Sequence, residues 1–318
     1  MTNGTFVDHI IPPSSYIFFS MGILVAFCCI VGNSLVMVVI VKSSRQRTCS
    51  TKMASTWILF HLALSAFFIG VWTVICVVHI STDTMRHNTK MDHARRFFGI
   101  VAPGALILLL SCISYDRFIL LKYHKNHDKH MTKKKTNILI ALCWLLPLPV
   151  PFLRYLSPPG FYLLVIIAIV VVFVLLIVAY SFVLLLVFNS EKKMKMIKAK
   201  NLSLADLTST EYEQEASPHL QNRRDTKFRD FVSLNRTIKL AKTVSKLLII
   251  YLIFHSPLVG YLLVMLFKRD VFDDRGRQTA LLVAELCSQI NAALIPIVYF
   301  ATNQSCRKGI KELCGINK

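Results

Sequence analysis

The sequence predicts an all-α membrane protein in which seven transmembrane helices form a bundle. Of its 318 residues, 54% are hydrophobic and only 17% are charged. Stretches of about twenty apolar residues recur, and a helix of that length crosses a bilayer. The net charge is +20, but almost all lysines and arginines lie between the apolar stretches. This placement indicates membrane topology and gives no reason to expect a nucleic-acid partner.

Seven stretches are long and apolar enough to be membrane spans. The fourth is short and contains Pro147, Pro149 and Pro151, whereas the fifth is the most hydrophobic. The sixth and seventh contain Pro257 and Pro296, each of which removes a backbone hydrogen bond and permits a helix kink. The spans run from Tyr16 to Val41, Trp57 to Val78, Phe97 to Leu121, Ile138 to Leu153, Phe161 to Val187, Leu247 to Phe267 and Thr279 to Phe300.

The positive charges predict the orientation of the bundle. Most lysines and arginines follow the first, third, fifth and seventh spans. Cytoplasmic segments carry this excess, so we expect a multi-pass plasma-membrane protein with its N-terminus outside and its C-terminus in the cytoplasm. The nine cysteines lie in predicted spans or on the predicted inner side, so a disulfide framework is not expected.

These predictions divide the chain into three parts. Residues 1–14 form an extracellular N-terminus, where the sequon at Asn3 is a glycosylation candidate. Residues 15–302 form the seven-helix bundle. Residues 303–318 form a short amphipathic eighth helix and a cytoplasmic tail, which would lie on membrane lipid, with Cys314 as a lipidation candidate.

The longest connection is a cytoplasmic loop at about 190–235. Its basic first part, Lys192 to Lys200, predicts that the fifth helix continues beyond the membrane. The segment Ser203 to Ser217 is rich in hydroxyl and acidic residues, which predicts a flexible region.

Asp116 and Arg117 lie at the inner end of the third span. An arginine at this depth can extend towards water or reach a neighbouring helix, and the adjacent carboxylate can hold it in place. The pair therefore predicts a latch that a competing partner opens. Tyr180 and Tyr299 lie near the same face, so we expect them beside Arg117.

Polar residues within the apolar spans are candidates for function because burying them in lipid is costly. Asn33 and Asn291 are typical of hydrogen bonds between helices, a role that is compatible with switching. His255 is either a hydrogen-bonded core histidine or a ligand contact. Glu285 needs a partner, a proton or water inside the membrane, so it and Gln289 are ligand-binding candidates.

No catalytic motif stands out, and we do not expect an enzyme, a cofactor or a metal site. The sequence has no His-Glu-x-x-His motif, no phosphate-binding glycine loop and no serine nucleophile elbow. The histidines at 124, 127 and 130 alternate with lysines, which favours a solvated basic face over a metal site.

With these residues in place, the chain resembles the rhodopsin-like (class A) family of G-protein-coupled receptors. The resemblance extends over nearly the whole chain, with each motif in the expected span and order. It is carried by Gly32-Asn33, Leu62-Ala63-Leu64-Ser65, Ser114-Tyr115-Asp116-Arg117-Phe118, Trp144, Tyr180, Pro257, and Pro296 with Tyr299. Within the family it is most similar to the aminergic branch, especially histamine receptors of the third and fourth subtypes. That likeness lies in Phe18 to Val41, Ile113 to Phe118 and Lys239 to Val244.

The chain departs from the family at several functional positions. Ala66 replaces the second-span aspartate, His255 the usual tryptophan, and Ile295 the asparagine of the seventh-span motif. The family's outer cysteine in the third span is Asp92 here. Gly99 stands where the amine branch has an aspartate that pairs with the ligand ammonium, so we do not expect a conventional amine ligand.

The resemblance implies a receptor that transmits an extracellular ligand signal to a heterotrimeric G protein. Activation would break the latch and swing the sixth helix about Pro257. Arg236, Thr237 and Lys239 stand where an acidic partner for Arg117 is expected, which predicts raised basal activity. The main alternative is a receptor-like modulator, or heteromer partner, that does not couple. A receptor dimer also remains open, and a seven-span transporter or channel is a more distant alternative.

Overall fold

The computed structural model describes residues 13–45, 53–81, 89–123, 126–208, 238, 249–268, 271 and 273–302. Its described part contains helices and no strands, so the prediction of an all-α membrane fold is confirmed. The helices are α1 (Pro13–Arg45), α2 (Met53–Ser81), α3 (Thr89–Tyr123), α4 (His127–His130), α5 (Lys133–Leu145), α6 (Leu153–Leu156), α7 (Pro158–Thr208), α8 (Ile249–Phe267) and α9 (Asp274–Thr302). The candidate residues Asn3 and Cys314, and the predicted eighth amphipathic helix, lie outside the described residues.

Six described helical stretches are long and apolar enough to cross a membrane. They are Phe19–Lys42, Ala54–Val78, Phe97–Tyr123, Lys133–Phe152, Ile249–Phe267 and Thr279–Ile297. A shorter apolar stretch, Gly160–Val174, belongs to α7 at the position of the predicted fifth span. The helices therefore fit a seven-helix bundle.

The fourth predicted span is not one regular helix. The α-helix α5 ends at Leu145, and the chain continues through turns into a 3-10 helix, Val150–Phe152. Pro147, Pro149 and Pro151 have no N–H group to donate, so a regular i→i−4 ladder cannot continue. The remaining amides form shorter bonds, such as the 3.1 Å bond from the Phe152 N–H to the Pro149 carbonyl.

The long helix α7 leaves the apolar region and continues to Thr208. This confirms the predicted continuation through Lys192 to Lys200. The prediction of a flexible segment from Ser203 is wrong for residues 203–208, which are helical. Leucine and alanine favour helix in this turn, and they extend the ladder that the preceding basic residues have already begun.

Helix α3 lies at the centre of the bundle and packs against α2, α5 and α7. Its buried face supplies much of the largest apolar cluster. Helices α1 and α2 approach closely at Gly70, where an added Cβ would lie 2.6 Å from the Cys29 Cβ. Near the beginning of α3, His93 Nδ1 lies 2.5 Å from the Tyr155 hydroxyl. This contact attaches α6 to the first turns of α3.

Candidate functional site at the end of helix α3

The carboxylate of Asp116 lies at the centre of a buried polar cluster that joins three helices. The Ser55 hydroxyl of α2 donates to Asp116 Oδ2 at 2.5 Å. His127 Nε2 of α4 lies 2.9 Å from Asp116 Oδ1. Because a carboxylate oxygen can only accept, the hydrogen of this bond is on Nε2. Asp116 and His127 are fully buried, and Ser55 is nearly so.

Local sequence features bring His127 to this position. The short helix α4 lies between α3 and α5, and its single turn is closed by the Met131 N–H, which donates to the His127 carbonyl at 2.8 Å. Met131 is buried in the main apolar cluster, which anchors the end of the turn. Thr132 then caps α5, because its hydroxyl accepts from the Lys135 N–H.

Arg117 is buried beside this cluster but is only loosely paired. One guanidinium nitrogen lies 3.8 Å from Asp116 Oδ2, which is close enough for charge attraction but too long for a hydrogen bond. The Arg117 Nε has no hydrogen-bond partner among the described residues. With its side chain only 4% exposed, Arg117 therefore keeps unused donor capacity inside the protein.

The cluster compensates for the burial of the Asp116 carboxylate with hydrogen bonds and a nearby positive charge. A buried carboxylate is costly unless hydrogen bonds and opposite charge compensate for lost water. Asp116 receives two hydrogen bonds and the attraction of Arg117. The arrangement therefore fixes the Asp116 side chain while leaving Arg117 available for another acceptor.

Sequence reasoning placed Asp116 and Arg117 here but missed Ser55 and His127. The expectation that His127 belongs to a solvated face is wrong, because its side chain is fully buried, whereas His130 in the same helix is exposed. Spacing along a single helix cannot show this contact, because α3 ends at Tyr123 and His127 begins a separate helix. Ser55 carries no motif and is one of several serines in its region.

The two tyrosines expected beside Arg117 are in different situations. The partly buried Tyr299 packs on the cluster formed by Val36, Ile40 and Ala63 of α1 and α2. The side chain of Tyr180 lies outside the described residues, although its backbone belongs to α7. A role for either tyrosine beside Arg117 stays a prediction.

A second polar contact lies in the first two turns of α8. The Tyr251 hydroxyl is 2.8 Å from His255 Nε2, and the two rings stack with their centroids 4.1 Å apart. Phe173 of α7 packs edge-on against both rings. His255 is therefore a buried, hydrogen-bonded histidine, and its Nδ1 has no hydrogen-bond partner among the described residues. Pro257 lies two residues later on an exposed part of α8.

Asn33 joins α1 to α9. Its side-chain amide donates to the Cys29 carbonyl at 2.8 Å and to the Ala292 carbonyl at 3.2 Å. The neighbouring Asn291 is also buried. Pro296 packs against Gly32, since a Cβ on that glycine would lie 2.8 Å from the proline ring. This contact explains why a glycine precedes Asn33.

The ligand-binding candidates belong to three helices, with Gly99 in α3, His255 in α8, and Glu285 and Gln289 in α9. Glu285 and Gln289 lie one turn apart on α9 and are both partly buried. The Ser288 hydroxyl donates to the Glu285 carbonyl, which is an ordinary contact within the helix. Gly99 of α3 faces open space, since an added Cβ would meet no atom within 4 Å. Their ligand roles stay predictions.

A comparison with known families finds a match for the part of the chain from α1 to the start of α7. The family model described as "7 transmembrane receptor (rhodopsin family)" matches residues 32–158. This region extends from Gly32 to the start of α7 and includes the Asp116 cluster, but it is less than half of the chain. No curated protein matches. Over that region the chain is similar to the rhodopsin family of receptors, and the match does not distinguish the branches of that family.

Proposed function

We propose that this protein is a receptor that transmits an extracellular ligand signal to a heterotrimeric G protein through Arg117. The proposal rests on one observation above all. Arg117 is buried near the end of α3, its Nε has no hydrogen-bond partner in the described part of the chain, and Asp116 attracts it from 3.8 Å without a hydrogen bond. An arginine in this state can exchange its weak contact for an acceptor on a cytoplasmic partner.

Raised basal activity belongs to the same proposal. A two-state receptor signals without ligand in proportion to the population of its open state. A latch whose arginine lacks a hydrogen bond to its carboxylate stabilises the closed state only weakly. The basic residues Arg236 and Lys239 lie outside the described residues and are expected to repel Arg117 further.

The ligand is expected to differ from a conventional amine. Gly99 offers no carboxylate at the position where the aminergic branch pairs with an ammonium group, and open space surrounds it. The likeness to histamine receptors therefore concerns the scaffold, and Glu285 is the remaining acidic candidate for a ligand contact in the outer part of the seventh span.

The test is ligand-free signalling in cells, in which the native chain is compared with Arg117→Ala at matched surface expression. We expect second-messenger output above that of empty cells, and we expect the variant to lose it. The matched control is Lys122→Ala, which removes an exposed cation five residues away on the same helix and should leave the output unchanged.

Output equal to that of empty cells for the native chain would contradict raised basal activity. If fusion to a G protein then also failed to restore signalling, the alternative of a non-coupling modulator or heteromer partner would be favoured. The replacements Ala66, His255 and Ile295 support that alternative, because they remove polar or aromatic groups that the family uses.

A further inference from the structure

The two oxygens of the Asp116 carboxylate are already occupied by partners other than Arg117. Oδ1 accepts from His127, and Oδ2 accepts from Ser55 at the short distance of 2.5 Å. The guanidinium lies 3.8 Å from Oδ2, which is the oxygen that Ser55 holds. The structure therefore contains a carboxylate and a buried arginine that are neighbours in sequence but do not form a hydrogen-bonded pair.

An arginine and a carboxylate can form strong hydrogen-bonded pairs, and the Arg117 side chain is long enough to turn back towards the carboxylate of the preceding residue. Arg117 is almost fully buried and its Nε has no hydrogen-bond partner among the described residues, so a closer pair could satisfy this donor. Side-chain hydrogen bonds from other helices hold the carboxylate in its present orientation. Only Ser55 and His127 donate side-chain hydrogen bonds to it among the described residues.

We propose that His127 and Ser55 compete with Arg117 for Asp116, and that His127 is the positioning residue that keeps the latch weak. This inference deepens the proposed function, on which its consequence for signalling rests. Ser55 and Asp116 belong to long helices of the bundle, whereas His127 belongs to a single helical turn between α3 and α5. A shift of His127 therefore requires movement of this short turn, which Met131 anchors, rather than movement of a membrane helix.

The surroundings of α4 indicate how His127 responds to a partner. Asp128, Lys129 and His130 are exposed on the same turn, whereas His127 is buried and its Nδ1 lies 3.2 Å from Asp128 Oδ1. A cytoplasmic protein that contacts the exposed face can shift this turn and change the His127–Asp116 distance. The strength of the Arg117–Asp116 attraction would then depend on the position of α4.

The competition is tested by measuring a coupling between two substitutions in the purified protein. Arg117→Gln is introduced into the native chain and into His127→Phe, and the thermal midpoint of each protein is measured in the same detergent. In the native background Arg117 lacks a hydrogen bond to Asp116, so we expect a small decrease. In His127→Phe the freed Oδ1 can accept from Arg117, so we expect the decrease to be larger by about 2 °C or more.

Two controls separate this effect from general damage. His130→Phe changes an exposed histidine three residues away. In that background Arg117→Gln should lower the thermal midpoint by the same amount as in the native protein. His127→Gln keeps an N–H donor near the position of the imidazole Nε2 and should restore native behaviour. If His127→Phe does not fold, Ser55→Ala frees Oδ2 instead and is expected to raise the cost of Arg117→Gln in the same way.

The proposal would be overturned if Arg117→Gln lowered the thermal midpoint of His127→Phe no more than it lowers that of the native protein. Signalling gives an independent readout, because a tighter Arg117–Asp116 pair should lower basal output in His127→Phe relative to His130→Phe. If the thermal coupling is found but the native chain never signals, the competition stands and the proposed receptor function fails. If signalling is found without the coupling, the receptor function stands and the role of His127 is wrong.

Discussion

The Tyr251–His255 pair shows what a single buried hydrogen bond contributes at the scale of a residue. Both side chains are almost fully buried, and their 2.8 Å contact occupies one of the two nitrogens of the imidazole. The other nitrogen has no partner in the described part of the chain. His255 therefore depends on Tyr251 for the hydrogen bond that compensates for its burial.

Tyr251→Phe is expected to destabilise the protein by about 1 to 3 kcal/mol, because it leaves both His255 nitrogens buried without a hydrogen bond. The measurement is thermal denaturation of the purified protein. Replacing both partners, as Tyr251→Phe with His255→Phe, removes the unsatisfied group and should recover part of the loss. A double variant less stable than the Tyr251→Phe protein would show that ring packing, not the hydrogen bond, dominates this contact.

The same scale shows what a residue pattern could predict about the site. Asp116 and Arg117 are predicted from their type and position, because charged residues within an apolar span are rare and costly. Ser55 and His127 could not be found in this way. A serine and a histidine have ordinary roles in many environments, and only the packing of α2 and α4 against α3 brings them to the carboxylate.

At the scale of an element, helix contacts depend on small residues as much as on apolar ones. Gly70 lets α2 approach α1 so closely that an added Cβ would lie 3.0 Å from the Ala26 carbonyl oxygen. Small residues commonly allow such approaches between membrane helices, where van der Waals packing drives association. Gly260 of α8 is different, because an added Cβ there would meet no atom within 4 Å.

Gly70→Ala is therefore expected to destabilise the protein by about 1 to 3 kcal/mol, because the backbone of α1 cannot move aside as a flexible side chain can. Gly260→Ala is the matched control and should be neutral or slightly stabilising, since alanine favours helix over glycine. Thermal midpoints of the two variants, measured side by side, decide the question. Equal effects of the two substitutions would mean that α1 and α2 do not pack this closely.

Elements were predicted well where hydropathy alone decides them and less well where proline interrupts a helix. The apolar stretch of the fourth span is long enough for a membrane, yet its α-helix ends at Leu145. The sequence contains the prolines, but it does not show whether they kink the helix or end it. That depends on which backbone carbonyls accept hydrogen bonds from the remaining N–H groups. Here they produce turns and a 3-10 helix that packs beside α3.

At the scale of the whole molecule, the distribution of lysine and arginine predicts an outside N-terminus and a cytoplasmic C-terminus. An epitope tag at the N-terminus should be accessible to antibody on intact cells, and a tag at the C-terminus only after permeabilisation. The reverse pattern would move the Asp116 cluster to the outer face and exclude G-protein coupling through Arg117. A tag after Thr208, at the end of α7, serves as an internal control and should follow the C-terminal tag.

The sequence by itself determined the membrane class, the helical fold and the charged pair at the end of α3. These features follow from hydropathy, span length and residue type, which are local properties of the chain. The tertiary structure alone decided that Ser55 and His127 hold Asp116, that Arg117 stays loosely paired, and that Tyr299 packs on α1 and α2. Such contacts join residues from different elements, so they depend on how the helices pack rather than on the order of residues in any one of them.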